Sequence, residues 1–226
     1  MHNPFYGESP HLLGRSEEIR RINEKLQASN HYSMVGPHGS GKSLLLKEII
    51  QQIPSWLEYQ PYEVLKIPFR SINNLRDLQE AIVVYLGGQK AGEWHGLLHH
   101  KPLCLLVLDD LGGMDPGQNG LKMRCWLRGL DDGYRTKLLM VSNERLDRLF
   151  RKDDPNRDSP FAGLDLLQVE LAPLPTDVCR QIVEQRLSWT NFNIHSFADL
   201  LNMPRQPKDL LDSCAARYEA LRQAKS

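Results

Sequence analysis

Residues 36–43 read Gly-Pro-His-Gly-Ser-Gly-Lys-Ser, the pattern G-x-x-x-x-G-K-S. A short apolar run, Tyr32-Ser33-Met34-Val35, precedes it, and a helical pattern from Leu44 to Ile53 follows. Strand, glycine-rich turn and helix in that order form one constrained unit. The glycines let the backbone curl until several N–H groups face one point. The helix adds the partial positive charge of its N-terminus. With a lysine and a hydroxyl at its end, the unit reads as a phosphate-binding loop. Gly36, Pro37, His38, Gly39, Ser40, Gly41, Lys42, Ser43 and Leu44 are therefore the candidate phosphate-binding residues. Lys42 places a compact charge on the β- and γ-phosphates of ATP, or on the β-phosphate of ADP, and the Ser43 hydroxyl is the expected Mg²⁺ ligand. His38 holds a variable position of the pattern, with its side chain expected to point outward.

The rest of the chain supplies an alternating α/β pattern. Its 226 residues suffice for one α/β domain with a small appendage, and 41% hydrophobic residues suffice for a core. Ser16 is a good N-cap, and Ile19, Ile22 and Leu26 line one helical face. The helix after the loop is expected to end before Pro54. Residues 63–69 suggest a strand weakened by Pro68. Helices are expected over 75–86 and 91–100. Leu103 to Leu108 is a continuous apolar run, which suits a strand buried on both faces of a parallel sheet. A helix over 120–130, a strand over 138–141 and a last strand over 166–171 follow. After Pro173 and Pro175 come helical segments at 176–188, 195–202 and 207–222. The expected fold is α/β: a central parallel sheet flanked by helices, then a small all-helical lid. Residues 1–172 would form the core, with 1–14 as an extended arm, and 173–226 the lid.

Composition excludes rather than selects. Lys and Arg total 28 and Asp and Glu total 28, so no whole-chain charge argues for nucleic acid or membrane. No apolar run approaches the ~18 residues of a membrane span. Cys104, Cys125, Cys179 and Cys214 are scattered, as expected of reduced thiols in a cytoplasmic protein. His95 and His99 stand four apart, but no third metal ligand accompanies them. Trp56, Trp94, Trp126 and Trp189 are dispersed, as in core or lid packing.

A second set of residues belongs with the loop. Asp109 and Asp110 end the most apolar strand, at the sheet edge where open α/β sheets bind ligands. Asp109 would hold Mg²⁺, and Asp110 would orient or deprotonate the attacking water. The strand over 138–141 runs into Ser142-Asn143. Asn143, with Ser142 as the alternative, would reach the γ-phosphate. Lys42, Asp109, Asp110 and Asn143 form the candidate catalytic set. Arg145, Arg148, Arg151 and Arg157 follow, and Arg151 or Arg157 would serve as an arginine finger in a neighbouring subunit.

Together these motifs resemble the AAA+ and STAND P-loop ATPases, close to archaeal and origin-recognition ATPases. Asn3-Pro4-Phe5 and Leu13-Gly14-Arg15-Ser16-Glu17-Glu18-Ile19 resemble that group's N-terminal segment, which packs beside the adenine and makes Arg15 a candidate nucleotide contact. Leu105 to Leu111 is similar to the acidic strand of STAND ATPases. Asp110 departs from the glutamate of vigorous AAA+ motors, and its shorter side chain holds a water poorly. Residues 158–164 and 169–174 also resemble the group. Arg205-Gln206-Pro207-Lys208-Asp209-Leu210-Leu211 resembles the lid's sensor 2 segment, with Lys208 where arginine is usual. Pro207 and Lys208 are thus implied nucleotide contacts.

The resemblance implies a slow, ATP- and Mg²⁺-dependent switch or assembly subunit, of the kind found in signalling or defence. ATP would bind between core and lid, and output would come from protein partners or self-assembly. One alternative is a DNA-associated AAA+ regulator of replication initiation or transposition. Another is a scaffold holding nucleotide for structure.

Overall fold

Five of the apolar runs become strands of one sheet in the computed structural model, which describes residues 3–6, 13–28, 31–56, 63–100, 104–113, 118–134, 136–146 and 167–224. In chain order the elements are α1 (Ser16–Ala28), β1 (His31–Val35), α2 (Lys42–Trp56), β2 (Glu63–Pro68), α3 (Leu75–Tyr85), α4 (Trp94–His99) and β3 (Cys104–Asp109). Then come α5 (Gln118–Tyr134), β4 (Thr136–Ser142), β5 (Leu167–Glu170), α6 (Thr176–Leu187), a 3₁₀ run (Ile194–Leu201) and α7 (Pro207–Gln223). The strand order is β2-β3-β4-β1-β5, and every neighbouring pair is parallel. This is the expected P-loop NTPase architecture, a parallel sheet flanked by helices and followed by C-terminal helices.

The chain forms two compact units, one of Arg20–Gly36 and Ile49–Glu170, the other of Met1–Ile19, Pro37–Glu48 and Leu171–Ser226. The division at residue 172 read from the sequence concerns chain order, and compactness groups the residues differently. In the first unit β3 and β4 are central. Leu105, Leu106, Val107 and Leu108 of β3 and Leu138, Leu139, Met140 and Val141 of β4 are at most 1% exposed. Uninterrupted apolar sequence is what burial on both faces demands. Leu78 and Ile82 of α3 and Met123 and Leu127 of α5 close the same core. Trp94 and Trp126 pack edge to face on it, 4.9 Å apart. Because all strands run the same way, their carboxyl ends share one edge, which places Gly36, Asp109 and Asn143 there.

In the second unit Phe5 is buried with Cys179 and Val183 of α6, Phe197 of the 3₁₀ run, and Leu210, Cys214 and Tyr218 of α7. Asn3 donates through Nδ2 to the Ala215 carbonyl at 3.2 Å and to Glu219 Oε1 at 3.0 Å. Arg186 donates to the Pro4 carbonyl at 3.1 Å. Residues 3–6 are therefore a docked turn, closed by the Tyr6 N–H on the Asn3 carbonyl, where an extended arm was expected.

Three further details depart from the sequence reading, and one expected strand shows how it keeps its proline. Helix α2 runs through Pro54 to Trp56, three residues past the expected end at Ile53, and the missing Pro54 N–H falls in its last turn. Strand β2 keeps Pro68 because it is an edge strand and Pro68 is its last residue. The segment expected as a helix over 195–202 is 3₁₀, capped by the Asn193 side chain on the His195 N–H. Trp189 is 90% exposed, so it does not pack in the lid.

Candidate functional site

The phosphate loop leaves the sheet at Gly36, whose N–H donates to the Ser142 carbonyl at 3.3 Å. Gly39 and Gly41 then take φ of 82° and 91°, the left-handed region that favours glycine. The Ser40 N–H turns back on the Pro37 carbonyl at 3.2 Å, and Lys42 Nζ reaches the same carbonyl at 2.9 Å. The first bond of α2 runs from the Leu45 N–H to the Gly41 carbonyl. The amides before it, at the positive end of the helix dipole, have no intrahelical acceptor. His38 is exposed, as its variable position implied, and Ser40 is buried.

Three more residues act on this loop within its own unit. Arg15 is 3% exposed. Its guanidinium donates to the Ser40 carbonyl at 3.2 Å, the Ala172 carbonyl at 2.8 Å and Glu18 Oε1 at 2.6 Å. The Lys208 N–H, at the start of α7, donates to the Gly39 carbonyl at 3.1 Å. A Cβ on Gly39 would lie 2.6 Å from Lys208 Cβ, and one on Gly41 would lie 3.8 Å from Pro207 Cγ. Pro207 opens α7, where a missing N–H costs nothing. The Lys208 ammonium pairs with Asp212 at 2.8 Å, and that hydrogen bond raises its pKa. Lys208 thus meets the loop through its backbone, while its charge lies along α7. Arg205 pairs backbone to backbone with Leu174, and its Nε is buried with no acceptor among the described residues.

The acidic strand lies in the other unit. Asp109 pairs with Lys66 of β2 at 3.0 Å, and Asp110 pairs with Arg70, just past the end of β2. The register Pro68↔Asp109 brings these cations alongside the two carboxylates. Asp110 has φ 66°, a left-handed conformation that aspartate tolerates better than most residues. A Cβ on Gly112 would stand 3.9 Å from Asp110 Oδ1 and 4.0 Å from Asn143 Nδ2, so these side chains flank one spot. Asn143 is exposed at the sheet edge, whereas the Ser142 hydroxyl is buried and donates to the Glu144 carbonyl. Of the two candidates, Asn143 is the one with a free approach. Arg145 pairs with Glu170 at 3.0 Å. Arg148, Arg151, Arg157 and residues 158–164 lie outside the described residues.

Lys66 and Arg70 escaped the sequence reading because their relevance depends on β2 lying beside β3, which chain order does not reveal. His95, His99 and His100 are exposed, and no His, Cys, Asp and Glu cluster suited to a metal occurs among the described residues. Mg²⁺ needs no such cage, since it keeps its waters and takes one or two carboxylates plus phosphate oxygens. Taken singly, the exposed Ser43 hydroxyl in one unit and the partly exposed Asp109 carboxylate in the other are each oxygen donors of that kind.

No family model matches the chain, and no curated protein matches it. Solved structures share its fold. The Aeropyrum pernix ORC1 protein in complex with DNA superposes with TM-score 0.70 at 16% identity, over 97% of this chain and 64% of that one. The Aeropyrum pernix ORC2 protein, in ADPNP-ADP complexes, gives 0.70 at 18% identity, over 97% and 65%. Drosophila ORC bound to DNA gives 0.72 at 17% identity, over 98% and 60%. The chain therefore shares the P-loop α/β fold of these structures, and spans less than two thirds of the length of each. No helix among the described residues is long and apolar enough to cross a membrane.

Proposed function

We propose that this protein is an ATPase that binds ATP or ADP on the loop of residues 36–44 and works as a slow nucleotide-dependent switch or assembly subunit. The observation that carries the reading is the loop itself, with Gly39 and Gly41 left-handed and the N-terminus of α2 following directly at Lys42. Lys42 is the phosphate-binding lysine of this proposal, and Ser43 and Asp109 are its Mg²⁺ residues. Bound Mg²⁺ would supply charge neutralisation at the phosphates. Asn143 would read the γ-phosphate and Asp110 would orient water. Slow turnover follows from the short Asp110 side chain and from its ion pair with Arg70. Residues 173–226 act as the lid in this reading, and partner subunits or further copies receive its output.

The test is nucleotide binding and turnover of the purified chain. ATP binding lost in Lys42→Ala, with slow turnover in the parent, is the expected result. Binding that survives Lys42→Ala rejects the proposal. A second reading, a DNA-associated regulator, is favoured by structural neighbours seen on DNA. It predicts turnover stimulated by duplex DNA and steeply salt-dependent DNA binding. Turnover indifferent to DNA favours a protein-triggered switch instead.

A further inference from the structure

Two of the loop's carbonyls are held by residues outside it, Ser40 by the Arg15 guanidinium and Gly39 by the Lys208 backbone N–H. In a trans peptide the carbonyl and the following N–H point in opposite directions. Arg15 holds the Ser40 carbonyl, so the Gly41 N–H is directed away from the guanidinium. The Lys208 N–H holds the Gly39 carbonyl, and the Ser40 N–H correspondingly faces the other way, onto the Pro37 carbonyl. Arg15 is buried, yet only one of its three partners is a charge. The other two are backbone carbonyls, at Ser40 in the loop and at Ala172 on the path into the C-terminal helices. A planar guanidinium suits this task because its donors form a rigid fork. Glu18 balances the charge and so stabilises a buried cation that would otherwise be costly.

We propose that Arg15 is a positioning residue that aims the Gly41 amide at phosphate and ties that aim to the Ala172 carbonyl, so that phosphate occupancy is felt where the C-terminal helices begin. This rests on the nucleotide reading above and deepens it. It departs from the expectation that Arg15 touches nucleotide, since the guanidinium is already committed to protein oxygens. While Arg15 holds the Ser40 carbonyl, that oxygen stays turned away from the side the Gly41 N–H faces. Rearranging the loop around phosphate therefore alters the hold on Ala172.

The experiment uses the full chain, with ADP, inorganic pyrophosphate and adenosine as probes. Binding constants are measured together with amide hydrogen exchange of residues 171–176. In the parent chain, ADP binding is expected to slow exchange in that segment. Absence of ADP binding in the parent would reject the nucleotide reading itself, a failure distinct from any described next. Arg15→Ala is expected to weaken ADP and pyrophosphate at least tenfold, to leave adenosine unchanged, and to abolish the exchange response even at saturating ADP. Unchanged ADP affinity would overturn the positioning role. Equal weakening of adenosine would place Arg15 on the base or ribose and overturn it too. An exchange response retained in saturated Arg15→Ala would overturn the tie to Ala172. Should Arg15→Ala lose its folded transition, Arg15→Lys carries the same test. Its ammonium keeps the charge but is a point donor without the guanidinium's planar fork, so a smaller loss of the same kind is expected, and parent-like behaviour would overturn the proposal. Glu18→Gln, which keeps both carbonyl contacts, is expected to stay within threefold of the parent, and a loss as large as that of Arg15→Ala would assign the effect to the ion pair instead.

Discussion

Gly39 and Gly41 share a left-handed backbone but differ in their surroundings. Either alanine substitution would carry the left-handed penalty of about 1–2 kcal/mol. At Gly41 the new methyl meets Pro207 at an ordinary 3.8 Å, so that penalty is the main cost. At Gly39 it meets Lys208 Cβ at 2.6 Å, which forces the start of α7 to shift. Urea unfolding should therefore show Gly39→Ala as the more damaging of the two, and equal losses would contradict the close approach of Lys208. The pair between Arg70 and Asp110 is weighed the same way. Arg70 is 79% exposed. An exposed pair is worth at most about 1 kcal/mol, so it biases Asp110 without locking it. Arg70→Ala should raise ATP turnover by no more than about fivefold. A fall in turnover would show Arg70 acting on phosphate rather than restraining the carboxylate.

At the scale of elements, packing rather than propensity assembled the C-terminal helices. Phe5 is separated from them by most of the chain, yet it fills their core, with its ring centroid 5.6 Å from that of Phe197 and 6.3 Å from that of Tyr218. Phe5→Ala should destabilise that unit by about 3–5 kcal/mol, the range for a buried phenylalanine. Hydrogen exchange should quicken through α6 and α7, while β3 and β4 keep their protection. Helix α3 offers a smaller, local test. Its N-cap Asn74 accepts from the Asp77 N–H, and Asn74→Ala should cost about 1 kcal/mol. Strands β3 and β4 were legible in advance because residues buried on both faces must be apolar without interruption. The docked turn at 3–6 was not legible, because one phenylalanine in a polar segment has no periodicity to read.

For the whole molecule, pH and thiol chemistry report on integrity. Burial pushes the Cys214 thiol from its ordinary 9.0 up to about 12 and also raises Cys179. A thiol raised in the folded state favours folding while it stays protonated. That contribution is complete below the ordinary thiol pKa and is lost as pH climbs through the folded value. Unfolding free energy should therefore fall from about pH 9 upward, and Cys214→Ala should flatten part of that fall. In the native chain Cys125, which is exposed, should alkylate quickly, while Cys179 and Cys214 should resist. Rapid labelling of all three would mean that the C-terminal helices open readily.

The sequence alone determined the phosphate loop, the alternation of strands and helices, and the acidic end of β3. Each depends on local rules: glycine where the backbone turns left-handed, unbroken apolar runs where both faces are covered, and carboxylates where a strand meets its ligand edge. Only the tertiary structure decided what surrounds those groups. It set Lys66 and Arg70 beside the two aspartates, turned Lys208's charge along its own helix, and committed Arg15 to carbonyls. The pairings of Lys66, Arg70 and Arg15 join residues far apart in the chain, so they depend on strand order and helix docking, which no local pattern encodes, whereas Lys208 turns to a neighbour four residues on.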